Sequence, residues 1–265
     1  MDVLGYIGAV LIGLTLGVLG SGGSILTVPV LVYLLHFNPI VATGYSLFIV
    51  GLTSFSGTIS YMRKKLVDYK TAVAFALPSF VSVYLVRRFL LPLIPQTIFK
   101  TDFYTLDKDQ FIMILFGLLM VAAAISMIRK REFNGAEENK EGRFNYPMIL
   151  RQGFLVGAIT GLVSVGGGFL IIPSLVLFAR VPIKLAVGTS LLIISTNALI
   201  GFMGDLHNDF AIDYLFLLTF CAYSIIGIII GSNVARYIPS DRLKPMFGWF
   251  IFVMGLYILI RELFY

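Results

Sequence analysis

The chain has little that could support redox, metal or acid–base chemistry. It contains one cysteine and two histidines, and only 13% of its 265 residues are charged, whereas a soluble domain carries about 25%. Cys221 lies in an apolar segment without a second cysteine, so no disulfide can form within the chain. The same count excludes a membrane enzyme that uses a two-cysteine thiol–disulfide relay.

Charge is also missing where ion ligands would be needed. No Asp, Glu, Lys or Arg occurs between residues 3 and 62 or between residues 185 and 204. A metal permease needs His, Asp or Glu within its spans, but His36 and His207 lie at the ends of apolar segments. A protease motif such as H-E-x-x-H is absent, and Asp205, near a helix end, is the one candidate for a proton relay. We therefore predict a protein that is not an enzyme and has no metal or cofactor.

What the chain has in abundance is apolar sequence. Hydrophobic residues make up 58% of it and its mean hydropathy is +0.93, which indicates an integral membrane protein. The start, Met1-Asp2, lacks a basic region, so we expect a first membrane segment and not a cleaved signal. Most apolar runs are about 20 residues long, enough to cross a bilayer core of about 30 Å. They cover residues 3–35, 41–62, 69–90, 111–128, 148–179, 182–204, 212–235 and 243–264.

A glycine stretch occurs twice, 144 residues apart. Residues 20–24 read Gly-Ser-Gly-Gly-Ser and residues 164–168 read Ser-Val-Gly-Gly-Gly, and Ala-x-Gly-x-Ser follows at 42–46 and again at 186–190. Adjacent glycines break a helix, and broken backbone survives in hydrocarbon only where protein or a polar cavity satisfies it. A duplicated break is typical of a transporter's binding site. The alternative is close helix packing through glycine, which needs small residues at four-residue spacing.

Each of the two longest runs, 3–35 and 148–179, contains one glycine stretch. A straight helix of that length would be about 50 Å long, too long for one upright span. Each run is therefore predicted to be a helical hairpin with a short second arm. If both hairpins enter and leave on one face, fifteen of the 20 Lys and Arg residues share a side, which the positive-inside bias makes cytoplasmic. Those residues lie in 63–70, 129–151, 180–184 and 236–244.

The two halves are predicted to be inverted. Loop 63–70 is basic, whereas the equivalent loop 205–213 has three aspartates and no Lys or Arg, so the two lie on opposite faces. The predicted fold is an all-α, polytopic membrane protein of two inverted-topology repeats, each with a glycine-broken helical hairpin. The repeats are residues 1–130 and 148–265, joined by a cytoplasmic linker at 131–147, with both termini outside.

The segment 91–110 departs from this pattern. It is long, contains Pro92 and Pro95, and has no counterpart in the second half. We interpret it as a floppy insertion, with an external flap as the alternative.

The breaks predict a binding site for an anion. A short arm that starts at a break has unpaired N–H groups and the positive end of a helix dipole, and consecutive glycine N–H groups form an anion nest. Small hydroxyl and amide side chains lie nearby, although each one singly is more typical of a helical residue that bonds its own backbone. The predicted substrate-binding residues are Ser21, Gly22, Gly23, Ser24, Ser46, Gly166, Gly167, Gly168, Thr189, Ser190 and Asn197.

These residues carry a family resemblance. Two copies of G-x-x-x-G-x-x-[GS]-x-G-G ending in proline, each followed by A-x-G-x-S, resemble the TauE/SafE family of sulfite and organosulfonate exporters. The resemblance covers nearly the whole chain. It implies a multi-pass plasma-membrane permease that exports sulfite, or a sulfonate such as sulfoacetate. The two copies differ, because Ser24 and Tyr45 stand where the second copy has Gly168 and Thr189, so the half-sites are not chemically equivalent.

The expected function is therefore export of a small sulfur-containing anion. The alternatives are a permease for another small anion or for a metal cation, coupled to protons or sodium. The expected partners are the anionic substrate and the lipid bilayer, and a homodimer is compatible with the sequence. The net charge of +6 is accounted for by the cytoplasmic loops, so no nucleic acid is expected.

Overall fold

The structure is a computed structural model that describes residues 3–90, 93–95, 97–101, 104–128, 146–163, 168–177, 179, 181–205 and 213–264. These residues form ten α-helices and one pair of short strands, so the chain is an essentially all-α membrane protein. The elements are α1 (Val3–Leu19), α2 (Gly22–Pro29), α3 (Pro39–Arg63), α4 (Tyr69–Leu85), β1 (Thr97–Thr101), β2 (Tyr104–Asp107), α5 (Lys108–Ile128), α6 (Tyr146–Val163), α7 (Gly168–Leu177), α8 (Ile183–Asp205), α9 (Tyr214–Ala235) and α10 (Ser240–Phe264).

The expectation of a floppy insertion at 91–110 is wrong for its described part. Strands β1 and β2 pair antiparallel, with Thr97 opposite Asp107 and Thr101 opposite Tyr104, and the register shifts between Thr97 and Phe99. β-branched and aromatic residues favour a pleated strand, and Thr-Ile-Phe-Lys-Thr supplies them. This hairpin is the one departure from an all-α fold among the described residues.

The first long run is a broken helix, as predicted, but the break lies just before the glycine pair. Helix α1 ends at Leu19, and Gly20 takes a φ of +71°, where its N–H donates to Leu16 O at 2.8 Å. This is the left-handed conformation that commonly ends a helix and that glycine adopts without a steric cost. Gly22 and Gly23 are themselves helical, at the start of α2.

The glycine pair has a role in close helix packing, which the sequence analysis gave as the alternative to a binding site. A Cβ on Gly23 would collide with Ile12 O and would lie 2.8 Å from Leu16 N, so α1 and α2 pack backbone to backbone at this point. The hairpin thus depends on glycine twice: Gly20 turns the chain, and Gly23 lets the two arms approach each other.

The short arms of the two halves end in the same way. After α2, a π-helical turn spans Val30–Leu34, with Leu35 N–H donating to Val30 O at 3.1 Å. In the second half, Ala179 N–H donates to Ser174 O at 3.3 Å, and both residues are shifted by the repeat spacing of 144. The second break itself, 164–167, lies outside the described residues, as does most of the predicted linker 131–147.

Helix packing is also matched between the halves. Helix α1 packs along α9 in the way that its equivalent α6 packs along α4, and the equivalent pairs α3 with α8 and α5 with α10 pack on each other. A Cβ on Gly51 would lie 2.9 Å from Leu199 Cγ and one on Gly57 would lie 3.3 Å from Leu191 Cδ1, so α3 and α8 run antiparallel. By the same measure Gly117 lies beside Leu259 and Gly248 lies beside Ile128, so α5 and α10 also run antiparallel.

The broken hairpins lie inside, and apolar helix faces lie outside. Seven of the eight residues of α2 are buried, whereas Leu77 on α4, Leu215 on α9 and Val253 on α10 are 62%, 76% and 60% exposed. Exposed apolar faces of this extent suit lipid contact. Four described helical segments are long and apolar enough to cross a membrane: Tyr69–Leu90, Ile183–Met203, Tyr214–Ala235 and Pro245–Leu263.

Candidate functional site

The first break meets the second hairpin in the interior. A Cβ on Gly168, the first residue of α7, would lie 3.1 Å from Ser21 Cβ, and one on Gly20 would lie 2.9 Å from Ser190 Oγ. The structure therefore brings together three of the predicted residues, Ser21, Gly168 and Ser190, from both halves of the chain. We call this place the break junction. Gly166 and Gly167 lie outside the described residues.

The N-terminus of α2 lies at the break junction and is open as far as the described residues show. None of their side chains caps it, and Ser21 at the N-cap position has helical dihedrals. Ser24 is already engaged, since its hydroxyl donates to Ser21 O at 2.7 Å. Ser21 Oγ is fully buried and has no hydrogen-bond partner among the described residues. A buried hydroxyl without a partner costs about 1–3 kcal/mol, so this atom and the positive end of the helix dipole are available to a ligand.

The interior around the break junction is polar without being charged. Apart from the hydroxyls of Tyr45 and Tyr61, the buried polar side chains in the described part are Ser, Thr, Asn and Gln, and none of them is charged. Some of these hydroxyls bond to their own helix, as Ser190 does to Val187 O at 2.8 Å and Ser46 to Thr43 O at 2.8 Å. Four others have no partner there: Ser21, Thr53, Ser54 and Ser82.

Asn197 contributes an adaptable polar group about one turn away. Ile194 Cδ1 would lie 2.6 Å from a Cβ on Gly168, and Asn197 follows three residues later on α8, about 4.5 Å along the helix axis. Its amide nitrogen donates to Ser79 Oγ at 2.9 Å, and Oδ1 is buried and has no hydrogen-bond partner within the described ranges. The Ser79 hydroxyl can donate as well as accept, so the Asn197 amide can flip and keep this bond through Oδ1. The NH₂ group then takes the position that Oδ1 had and can donate to a ligand there.

Thr189 has a different place from the one expected. Its Oγ1 accepts the N–H of Asp68 at 3.0 Å, and Asp68 caps α4 by accepting from Lys70 N and Thr71 N. In the other half Tyr45 OH accepts the N–H of Asp213 at 2.8 Å, and Asp213 caps α9. Thr189 and Tyr45 are thus equivalent residues that anchor helix N-termini, which explains how two unlike side chains occupy one repeat position.

The sequence interpretation missed three contributors to this interior. Tyr61 OH donates to Gly17 O at 2.7 Å and so satisfies a carbonyl in the last turn of α1. Ser79 orients Asn197 from 118 positions away, and Ser82 lies one turn further along α4. No local pattern marks these residues, since a Ser or Tyr in an apolar helix is common and its partner is remote in sequence.

The comparisons with known proteins agree with this architecture. The family model described as "Sulfite exporter TauE/SafE" matches residues 6–258. A probable membrane transporter protein of Xylella fastidiosa is 30% identical over 95% of this chain and 92% of its own length. The probable membrane transporter protein YunE of Bacillus subtilis is 24% identical over 98% of this chain and its full length.

A third relative has the same description. A probable membrane transporter protein of Methanocaldococcus jannaschii is 26% identical over 95% of this chain and 94% of its own length. The residues matched by the family model, 6–258, include at least part of each of the ten described helices. The chain is therefore a membrane transporter and belongs to the sulfite exporter TauE/SafE family.

Proposed function

We propose that this transporter exports a small sulfur-containing anion, namely sulfite, sulfoacetate or a related organosulfonate, across the plasma membrane. The observation that carries the proposal is the break junction, where the open N-terminus of α2 and the unpartnered Ser21 hydroxyl face Gly168 and Ser190. The sulfur chemistry is taken from the description of the family model.

Neutral donors suit an anion that must be released. Backbone N–H groups and hydroxyls at a helix start favour an oxyanion, and each neutral hydrogen bond contributes about 1 kcal/mol. A fixed Lys or Arg would bind more tightly and slow the release. A site of hydroxyls and N–H groups also offers no oxygen-rich cage for a metal ion, which disfavours the metal-cation alternative.

The transport mechanism is proposed to be rocking of two inverted repeats about the break junction. The antiparallel packing of α3 on α8 and of α5 on α10 supports inversion, because each pair consists of equivalent helices. Each short arm carries a proline at the same repeat position, Pro29 at the end of α2 and Pro173 inside α7. Short segments that contain glycine or proline at corresponding positions of the two halves are the expected location of a binding site in such transporters.

Export needs no coupled ion on energetic grounds. An inside-negative potential favours outward movement of an anion by about 2.3 kcal/mol per charge per 100 mV. We therefore propose a uniporter. Coupling to protons through Asp205, whose side chain lies outside the described residues, or to sodium is the alternative mechanism.

Thermal-shift measurements on the purified protein test the substrate class. Sulfite, thiosulfate and sulfoacetate should raise the melting temperature, and at equal concentration the anion that binds most tightly should raise it most. Chloride at the same ionic strength is the control. Sulfate is also a divalent oxyanion, so equal stabilisation by sulfate would show that the site does not select sulfite or sulfonates. Stabilisation by divalent metal ions that chelators reverse, with none by sulfur anions, would contradict the proposal.

A further inference from the structure

A basic pocket lies beside the first break. It is a small, partly open cavity of about 20 Å³, and it is lined by Tyr61, Lys64, Lys184, Ser232 and Arg236 together with apolar side chains. Its cations come from three different elements: the residue after α3, the first turn of α8 and the end of α9. No Asp or Glu occurs among the described residues that line it.

Two of the three cations have a partial structural explanation. Lys64 Nζ donates to Ser232 O at 2.7 Å and to Asn233 Oδ1 at 3.2 Å, at the C-terminus of α9, where a cation is favourable. Arg236 packs on the Tyr237 ring with 4.6 Å between Cζ and the ring centroid. Burial and the neighbouring positive charge of Arg236 lower the pKa of Lys64, so the cluster is electrostatically costly when it is empty.

Lys184 has the least favourable position. It lies in the first turn of α8, and that turn has no acidic residue. A cation at a helix N-terminus is destabilising, because it meets the positive end of the helix dipole. An anion in the pocket would reverse that cost, because it would meet both the lysine and the positive end of the helix dipole. The three cations and the start of α8 are therefore in a more favourable electrostatic environment with an anion bound than without one.

The pocket shares its inner wall with the break. Tyr61 lines the pocket and donates to Gly17 O at 2.7 Å, in the last turn of α1. Val187 lines it as well, and its Cα would lie 3.2 Å from a Cβ on Gly20. One layer of side chains thus separates the basic pocket from Gly20.

We infer that the basic pocket is a recruitment site, which binds a small oxyanion from the cytoplasm before the anion passes to the break junction. The inference rests on the proposed export function and on the predicted cytoplasmic side of loops 63–70, 180–184 and 236–244, which together make this face the entry side. The positive charges of the pocket attract anions to the protein and raise their association rate. Binding at the neutral break junction can therefore stay weak. A lipid headgroup phosphate has the same oxyanion chemistry, and the experiment must distinguish the two sources.

The test uses Lys184→Gln and Arg236→Gln in proteoliposomes, with Lys70→Gln as the matched control. Lys70 is exposed, lies in the first turn of α4 and does not line the pocket. Efflux of labelled sulfite is measured against the sulfite concentration on the cytoplasmic side. We expect the apparent KM to rise several-fold in each pocket variant with the maximal rate unchanged, and the wild-type KM to rise with salt more steeply than that of the variants.

The outcomes separate this inference from the proposed function. If wild-type protein transports sulfite and the pocket variants have the KM of Lys70→Gln, the recruitment site is refuted while the proposed function stands. If wild-type protein transports no sulfur anion, the proposed function fails and the recruitment of its substrate fails with it. A KM change seen only in liposomes with anionic lipid, and not in purely zwitterionic ones, would assign the pocket to headgroups and overturn the inference.

Discussion

Replacing Gly20 by alanine tests the turn and the contact between the two halves at once. Gly20 has a φ of +71°, where an L side chain costs roughly 1–2 kcal/mol. The new Cβ would lie 2.8 Å from Ile172 Cδ1, 2.9 Å from Ser190 Oγ and 3.2 Å from Val187 Cα. Crowding of this kind adds about 1–3 kcal/mol, so the expected total is about 2–5 kcal/mol against the state in which the hairpins touch.

Gly22→Ala is the matched control, two residues away on the same hairpin. Its backbone is helical, and its Cβ would meet side-chain atoms only, with Leu19 Cβ at 3.1 Å and Phe250 Cε1 at 3.4 Å. We expect Gly20→Ala to melt several degrees lower in detergent and to lose most of its anion transport in proteoliposomes. Gly22→Ala keeps the helical backbone and the N–H of residue 22, so it should melt close to wild type. Equal melting temperatures and equal transport rates in the two variants would refute the argument that the left-handed turn and its contact with Ser190 matter.

Three further predictions follow from the site and the charge distribution. Ser21→Ala should weaken anion binding about fivefold, the loss of one neutral hydrogen bond of about 1 kcal/mol, whereas Thr15→Val, which removes a hydroxyl bonded within α1, should leave titration calorimetry unchanged. Labelling by an impermeant reagent in intact cells tests the inversion, with single cysteines placed at Asn139 or Asn208, both outside the described residues, in a Cys221→Ser background. Only the cysteine at position 208 should be labelled, and equal labelling of the two would contradict inversion. Sulfite efflux from proteoliposomes with the cytoplasmic face inward should accelerate when a potassium–valinomycin gradient makes the lumen negative, and efflux driven only by a proton or sodium gradient would contradict uniport.

The sequence predicted the hairpins because glycine pairs interrupt apolar runs that are too long for one span. It did not predict which glycine turns the chain. A rule based on local sequence cannot distinguish Gly20, Gly22 and Gly23. The close contact of α2 with Ile12 O and Leu16 is what distinguishes them: Gly23 stays helical there, and Gly20 takes the positive φ. Break positions inferred from glycine clusters are therefore reliable to within a few residues.

The candidate site was predicted less completely than the fold. Ser21, Gly168 and Ser190 belong to the repeated motifs, so the repeat itself pointed to them. The partner of Asn197, by contrast, lies on α4, and the cations of the basic pocket come from three separate elements. Such groupings depend on which helix faces which, and no spacing along the chain encodes that.

The two halves share a framework but place different chemistry at its centre. Thr189 and Tyr45 differ in size, yet each accepts the N–H of the aspartate that caps the equivalent helix. At the breaks the repeat spacing sets Ser21 against Val165, so the hydroxyl at the start of α2 has an apolar residue as its counterpart. In the proposed function, an anion at the break junction would be held by the Ser21 hydroxyl and the N-terminus of α2, with Gly168 and Ser190 on the facing side. If the repeats rock against each other, as proposed, that side would move away while these donors keep the anion.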